Sequence, residues 1–363
     1  MSKNKKRKPA RKVSPETWKN VKLGLSTIIS NEGCIRSARE FHGPVSVIVP
    51  VALALVSVVL AVLPTFVTQM NSKQSDYVFA NPSANYEAGL AQFLQNLVLD
   101  DEGHDRNLAL SIAEDGSSYN MLASDIATLN GGEQWYTVER ITDDGTKAKF
   151  EVFFNTTTDV NDVDFFSRID QYRNPFTGNY RDNSGSETII KEFQSSYLAF
   201  GKETIRFRKR SDSKAFSGIT GTYARIAGYN FTALAKELVG TPATSATYLN
   251  RVRSEFVDIA NLSTQDAKVA ATWQYTGIFA GVDLGLIVLF GLIMFLMTRG
   301  KKNPFRVFTF WETQKMSYWA AFTPALISMV IGFFMVNYAM LFFMFTFGMR
   351  MMWMSMRSLR PQQ

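Results

Sequence analysis

The chain has 363 residues, 46% hydrophobic and 13% aromatic, with 39 Lys and Arg against 32 Asp and Glu. Its net charge of +7 is unevenly laid out: about +8 over residues 1–44, about −7 over residues 71–272 and about +6 over the rest. Positive charge placed beside apolar runs, with no folded basic domain, excludes a nucleic-acid-binding reading, and the single cysteine, Cys34, excludes a disulfide framework.

Residues 1–44 read as a basic cytoplasmic tail carrying an amphipathic helix. The stretch 2–12, SKNKKRKPARK, is too polar to fold alone. It is either a solvated tail or an electrostatic clamp on anionic lipid, at about 1 kcal/mol per basic residue near the surface. Ser14, Pro15 and Glu16 form a helix start, with Ser14 as the cap. Trp18, Val21, Leu25, Ile28 and Ile29 follow at helical spacing, with Lys19 and Lys22 on the other side. This pattern fits a helix lying on the inner leaflet, or a docking helix for a partner protein.

The first span covers residues 45–69, behind Arg36, Arg39 and His42. Its apolar run is longer than the core of a signal peptide, which is about 7–15 residues, so it is expected to stay as an anchor. Pro50 and Pro64 within it are read as packing geometry.

Residues 70–273 read as one mixed α/β domain. Tyr86, Leu90, Phe93, Leu94, Leu97 and Val98 mark an early helix. Alternation predicts a hairpin of strands 135–141 and 147–154 around Asp144-Gly145, and a second of strands 195–200 and 203–210 around Gly201-Lys202. Residues 222–238 and 248–272 are helical in pattern, with Val252, Phe256, Ile259, Val269 and Ala270 expected to point inward. The last segment is expected to run on towards the next span as a stalk, unless Asn261-Leu262-Ser263 interrupts it.

The second span, residues 274–298, holds the run YTGIFAGVDLGLIVLFGLIMFLMT with one carboxylate, Asp283. Gly277, Gly281 and Gly285 stand four apart and drift only about 40° per step, forming a helix-packing stripe. Asp283 lies about 160° from the middle of that stripe. A carboxylate facing lipid costs several kcal/mol, so its face is expected to meet protein or a wet cavity. A basic loop, residues 299–316, follows, with Phe308, Phe310 and Trp311 placed at the interface. The third span covers 317–336, a turn falls near Asn337, the fourth span covers 338–356 and a tail covers 357–363. A single long helix would strand Arg350, Arg357 and Arg360 outside, so four spans are preferred to three.

The expected fold class is therefore an α-helical membrane bundle of four spans, with one mixed α/β extracytoplasmic domain inserted between spans 1 and 2. Basic flanks place it in the cell membrane as a multi-pass protein with both termini cytoplasmic.

This layout resembles a family of four-span bacterial membrane proteins of unknown function, some members of which are labelled maltodextrin utilisation protein. The residues behind the likeness are Ile28-Ile29-Ser30, Arg36-Ser37-Ala38-Arg39-Glu40-Phe41, Val62-Leu63-Pro64 and Lys315-Met316-Ser317-Tyr318 followed by Thr323-Pro324-Ala325-Leu326. The resemblance covers both membrane ends. It brings no catalytic residues and implies at most an accessory role near a carbohydrate uptake system.

A search for chemistry is mostly negative. His42 and His104 do not make a zinc site, and no HExxH, CxxC, Walker A or GxSxG sequence is present. Asp100-Asp101-Glu102 and the run Asp159, Asp162, Asp164 do not have EF-hand spacing, and the latter is read as a solvated turn in preference to a cation site. Arg206, Arg208 and Arg210 share one face of a strand, which is either an ordinary exposed face or a patch for an anionic partner. Asp283 and Arg350 are the intramembrane charged residues. Their depths differ by roughly 6 Å, and snorkelling of Arg350 beside Arg357 is preferred to pairing. No catalytic residue, metal ligand or cofactor is assigned. The expected function is a non-enzymatic accessory or sensory membrane protein whose partners are the lipid bilayer and a membrane protein or second copy. The alternative is a transporter component using Asp283 as a proton or cation site.

Overall fold

The computed structural model describes residues 15–41, 45–80, 84–100, 102–106, 108–129, 135–141, 147–172, 194–210, 216–242, 245–299 and 308–358. Expectations that fall on the tail 2–12, the Ser14 cap, His42, Asp101, the 142–146 turn, the basic stretch 300–306 and residue 360 lie outside these residues, as do the side chains of Arg210 and Arg357.

In chain order, α1 (Pro15–Ile29), α2 (Asn31–Glu40) and α3 (Val45–Asn71) come first. Then come α4 (Asp76–Phe79), α5 (Ala84–Val98), β1 (Ser111–Ile112), β2 (Tyr119–Asn120), α6 (Ala123–Leu129), β3 (Trp135–Ile141), β4 (Lys147–Phe154) and α7 (Asp162–Tyr172). Three strands follow, β5 (Gln194–Phe200), β6 (Thr204–Arg210) and β7 (Phe216–Thr222), and then α8 (Phe231–Glu237) and α9 (Ala246–Ser263). The chain ends with α10 (Gln265–Met297), α11 (Phe310–Phe334) and α12 (Ala339–Ser358). The fold is mostly helical, with a small mixed sheet region between the first span and the later ones. Four helices, α3, α10, α11 and α12, are long and apolar enough to cross a membrane, with mean hydropathies of 2.8, 2.5, 1.5 and 1.3, and they make this a multi-pass membrane protein. The chain divides into two compact units, Met1–Asn71 with Ala270–Gln363, and Ser72–Val269.

In the first unit α11 starts ahead of the expected third span because its end is well capped. Thr309 Oγ1 accepts from Glu312 N at 3.2 Å, and Glu312 Oε2 accepts from Thr309 N at 2.7 Å. The segment expected at the interface is thus the first turns of this helix. It ends at Phe334, and a 3₁₀ turn, Val336–Tyr338, leads to α12 at the expected Asn337. Small residues fill the interior: Ala54 and Ala61 on α3, Ala320, Ala321 and Ala325 on α11. Where Gly332 sits, a Cβ would lie 2.9 Å from Pro64 Cγ and 2.8 Å from Ala339 Cβ, so α3, α11 and α12 meet at a point only glycine fills.

The second unit holds a five-stranded sheet of order β3-β4-β5-β6-β7, with β4 and β5 parallel and the other neighbours antiparallel. Both expected hairpins form, the first pairing Trp135 with Phe153 and Ile141 with Lys147. One face of the sheet carries Phe150, Val152, Phe154, Leu198, Phe200, Ile205 and Phe207 into a core shared with α5 and α9, where the six apolar residues expected on the early helix are all buried. The other face packs Phe153, Tyr197 and Ala199 on Phe166 and Ile169 of α7.

Three sequence expectations are corrected here. Residues 222–238 are not one helix: β7 ends at Thr222, a 3₁₀ turn covers Tyr223–Ile226, and only Phe231–Glu237 is α-helical. The run at 159–164 is not a plain turn, because α7 begins at Asp162. Val252, Phe256 and Ile259 are buried, but Val269 is half-buried and Ala270 exposed. The reason is the break at Thr264, the C-cap of α9, after which α10 starts a new helical phase.

Candidate functional site

Span α10 has two unlike faces. Thr272, Thr276, Asp283, Ile287, Gly291 and Met294 are buried. On the other side, a Cβ placed on Gly277, Gly281 or Gly285 would have nothing within 4 Å among the described residues. The expected packing stripe is therefore open among the described residues of a single copy. Close approach occurs at Gly291, where a Cβ would come 2.8 Å from the Gln314 side-chain amide. Gln314 Nε2 donates to Val288 O at 3.2 Å, and Ser317 Oγ donates to Ile287 O. Two side chains of α11 thus bond to the backbone of α10, in contacts that average about 0.6 kcal/mol between membrane helices.

Asp283 lies on the buried face, 2% exposed. Its Oδ1 has no hydrogen-bond partner among the described residues, nor has Thr276 Oγ1 two turns away. A buried ionisable group without a partner is costly inside a membrane, which is the physical reason to treat Asp283 as a functional candidate.

Arg350 on α12 bonds elsewhere. Its Nε donates to Asn31 Oδ1 at 3.0 Å, Nη1 to Ala320 O at 3.0 Å, and Nη2 to Thr27 O and, at 3.4 Å, to Cys34 Sγ. The acceptors come from α1, α2 and α11, and Asp283 is not among them. The guanidinium is held at the corner between α1 and α2, where its fork of N–H donors meets neutral acceptors, and it is not paired with Asp283, the arrangement the sequence disfavoured.

On the sheet, Arg206 and Arg208 do share a face, and both turn onto Asp170 of α7. Arg206 Nη2 lies 3.0 Å from Asp170 Oδ2, Arg208 Nη1 bonds Oδ1, and the Tyr197 hydroxyl donates to Oδ1 at 2.7 Å. Burial raises the Tyr197 hydroxyl pKa, so it remains a donor across the neutral range. The first two members of the expected anionic-partner patch are therefore engaged inside the chain.

The acidic run has a structural use. Asp162 accepts from Lys202 N at 2.6 Å, Glu203 N at 3.0 Å, Thr204 Oγ1 at 2.7 Å and Asn155 Nδ2 at 3.4 Å, so it ties α7 to the β5–β6 turn. Burial by itself would raise its pKa, but these hydrogen bonds outweigh it and hold the carboxyl below its ordinary range. Among the described residues no group of three or more His, Cys, Asp and Glu is placed to hold a metal ion.

Sequence reasoning missed Gly291, Gln314, Ser317, Thr27 and Asn31. A signal was present in α11. Gln314, Ser317, Ala321, Ala325, Ser328 and Gly332 recur every three or four residues, and all are buried. That small-and-polar stripe is the mark of a packed membrane helix. No protein-family model, curated protein or solved structure matches the chain.

Proposed function

We propose that this chain is a non-enzymatic membrane protein with an accessory or sensory role, whose α/β unit binds a ligand or protein partner and whose spans dock on a larger membrane complex. The observation that carries the reading is the open glycine face of α10. Only 22% of the α10 span is buried, against 44% for α11, so a lateral surface with backbone-level access remains for another membrane helix. Charge segregation supports an orientation with both termini cytoplasmic and the α/β unit extracytoplasmic. The likeness of the membrane ends to the four-span family supports a role near a carbohydrate uptake system. Cysteines introduced as Gly281→Cys and Gly285→Cys test the docking face in native membranes. Crosslinks from either position to another membrane protein or a second copy are expected, and the absence of any adduct from both removes it.

A second reading is favoured by the unpartnered Oδ1 of Asp283: a transporter component in which this carboxyl is a proton or cation site. Asp283→Asn should then abolish uptake in membrane vesicles at unchanged protein level. An unchanged rate rejects it.

A further inference from the structure

Helices α1 and α2 form an antiparallel pair. Ser37 Oγ donates to Leu23 O at 3.3 Å, Cys34 Sγ to Thr27 O at 3.5 Å, and a Cβ on Gly33 would lie 2.7 Å from the Ser26 carbonyl carbon. The pair is fastened to the spans at its corner and flank. Thr323 Oγ1 donates to Ile28 O, Arg350 holds Thr27 O and Asn31, and the Trp319 ring packs against Phe41 at 5.6 Å between centroids.

One outward stripe remains on each helix, on the side turned away from the other helix. On α1 it is Trp18, Val21, Leu25 and Ile29, with Ile29 92% exposed and Leu25 58%, and Lys22 stands among them, four residues after Trp18 and three before Leu25. On α2 it is Glu32, Arg36, Arg39 and Glu40, with Arg36 Nε 3.6 Å from Glu40 Oε1. An apolar stripe and a charged stripe on opposite sides of one hairpin match the boundary between hydrocarbon and water. Depth agrees. Thr323 lies eight residues past Lys315, the last charged residue of α11. That is about 12 Å along the helix. Arg350 lies seven residues before Arg357, about 10 Å by the same measure. The hydrocarbon core is about 30 Å thick, so the corner lies below the headgroups of the leaflet next to the basic tail.

We propose that the α1–α2 hairpin is a wedge seated in that leaflet, with Trp18, Val21, Leu25 and Ile29 among its acyl chains and Arg36, Arg39 and Glu40, further from the corner, turned to water. Arg350 is the latch that fixes the corner of the wedge to the spans. Lys19 and Lys22, exposed and nearer the start of α1, reach the anionic headgroups. The occupant of the apolar stripe is therefore lipid. The spacing of α1 alone showed neither the second helix nor the latch.

Spin labels on the full-length protein in phosphatidylglycerol and phosphatidylethanolamine vesicles test this. Cys34 is fully buried, so single added cysteines take the label. Labels at Leu25→Cys and Ile29→Cys should collide with oxygen several-fold more, relative to a water-soluble nickel chelate, than labels at Arg36→Cys and Glu40→Cys. Equal access of the nickel chelate to all four positions overturns the proposal, and so does a stripe that neither probe reaches, because protein then covers it. Adding Arg350→Gln should bring the ratio at Ile29→Cys down towards that at Arg36→Cys, while a label at Ile278→Cys on α10 keeps its oxygen preference. Asn31→Ala, which removes one acceptor and keeps the arginine, should shift the ratio less in the same direction. An unchanged ratio in both variants overturns the latch.

Discussion

The α/β unit and the span unit are packed with different mixtures of side chains. The sheet core is aromatic: Phe93, Phe154, Phe200, Phe207, Phe231 and Phe256 are fully buried, with Phe154 stacked on Phe200 at 5.1 Å and Phe231 edge-on to Phe200 at 5.5 Å. Asp162 acts at the β5–β6 turn, while Glu151 and Asp170 pair with basic side chains on the face of the sheet. The span interior mixes small and polar residues with methionines and a few large rings: Met294, Met316, Met351, Met354, Ile287 and Trp319 are buried beside the stacked pair Phe343 and Phe347. Ser317, Thr323 and Ser328 donate to backbone carbonyls there, while Val59, Ile278, Leu296, Phe334 and Phe345 face outward. Water rewards removal of apolar area at about 25 cal/mol per Å². Hydrocarbon offers no such reward, so helices hold together by close backbone approach and hydrogen bonds. Phenylalanine is core in one unit and is divided between core and coat in the other.

The contrast is most exposed to refutation at Phe200. Phe200→Ala should cost about 3–5 kcal/mol and speed amide exchange through β4, β5 and β6 of the full-length protein in detergent. A loss below about 1 kcal/mol would contradict an aromatic core. In the spans the sensitive positions should be glycines. Gly291→Leu forces Gln314 aside and should cost about 1–3 kcal/mol, lowering the thermal midpoint in detergent, whereas Gly281→Leu should leave it within about 0.5 kcal/mol. Equal effects at the two sites would erase the difference between the faces of α10.

Asp162→Ala should cost about 2 kcal/mol through the loss of charge-assisted hydrogen bonds, and its pH dependence sharpens the comparison. The folded carboxyl has a pKa below the unfolded value of about 3.9. Its contribution is therefore complete above that value and is lost as pH falls through the folded pKa. Urea titrations of wild type and variant should converge in strong acid, and a constant gap down to that limit would contradict the assigned role. Smallest is Tyr86→Phe. The Tyr86 hydroxyl is buried and has no partner among the described residues, so its removal should be neutral or should stabilise by up to about 1 kcal/mol, as read by the same titration. A clear loss would reveal a partner for that oxygen.

Long apolar runs made the spans legible, and alternation made both hairpins legible to within a residue or two. Strand β7 escaped because FSGITGT carries two glycines that weaken any strand signal. One of them is required: a Cβ on Gly221 would lie 2.5 Å from Ser263 Cβ. Helix α7 escaped because only Phe165, Phe166 and Ile169 mark its apolar side among acids. At the candidate site, helical phase correctly put Asp283 on a buried face. It did not reveal which glycine meets a neighbour, since Gly277 and Gly291 differ only in what stands opposite. The partners of Arg350 lie more than 300 residues away on Thr27 and Asn31, and no local pattern encodes that contact.

The parallel joint between β4 and β5 is the sheet pairing with the longest connection. Ile141 pairs with Lys147, Phe200 with Ile205 and Arg210 with Phe216, so three of the four strand pairings close over short turns. The fourth pairs Ala148 with Gln194 and must first close the long crossover that contains α7. Loop-closure entropy therefore weighs most against that seam, and Asp162 fastens the crossover to the β5–β6 turn. Without the seam β4 and β5 would be bare edges open to pairing with another chain, so closing it also shields the unit from edge-to-edge aggregation.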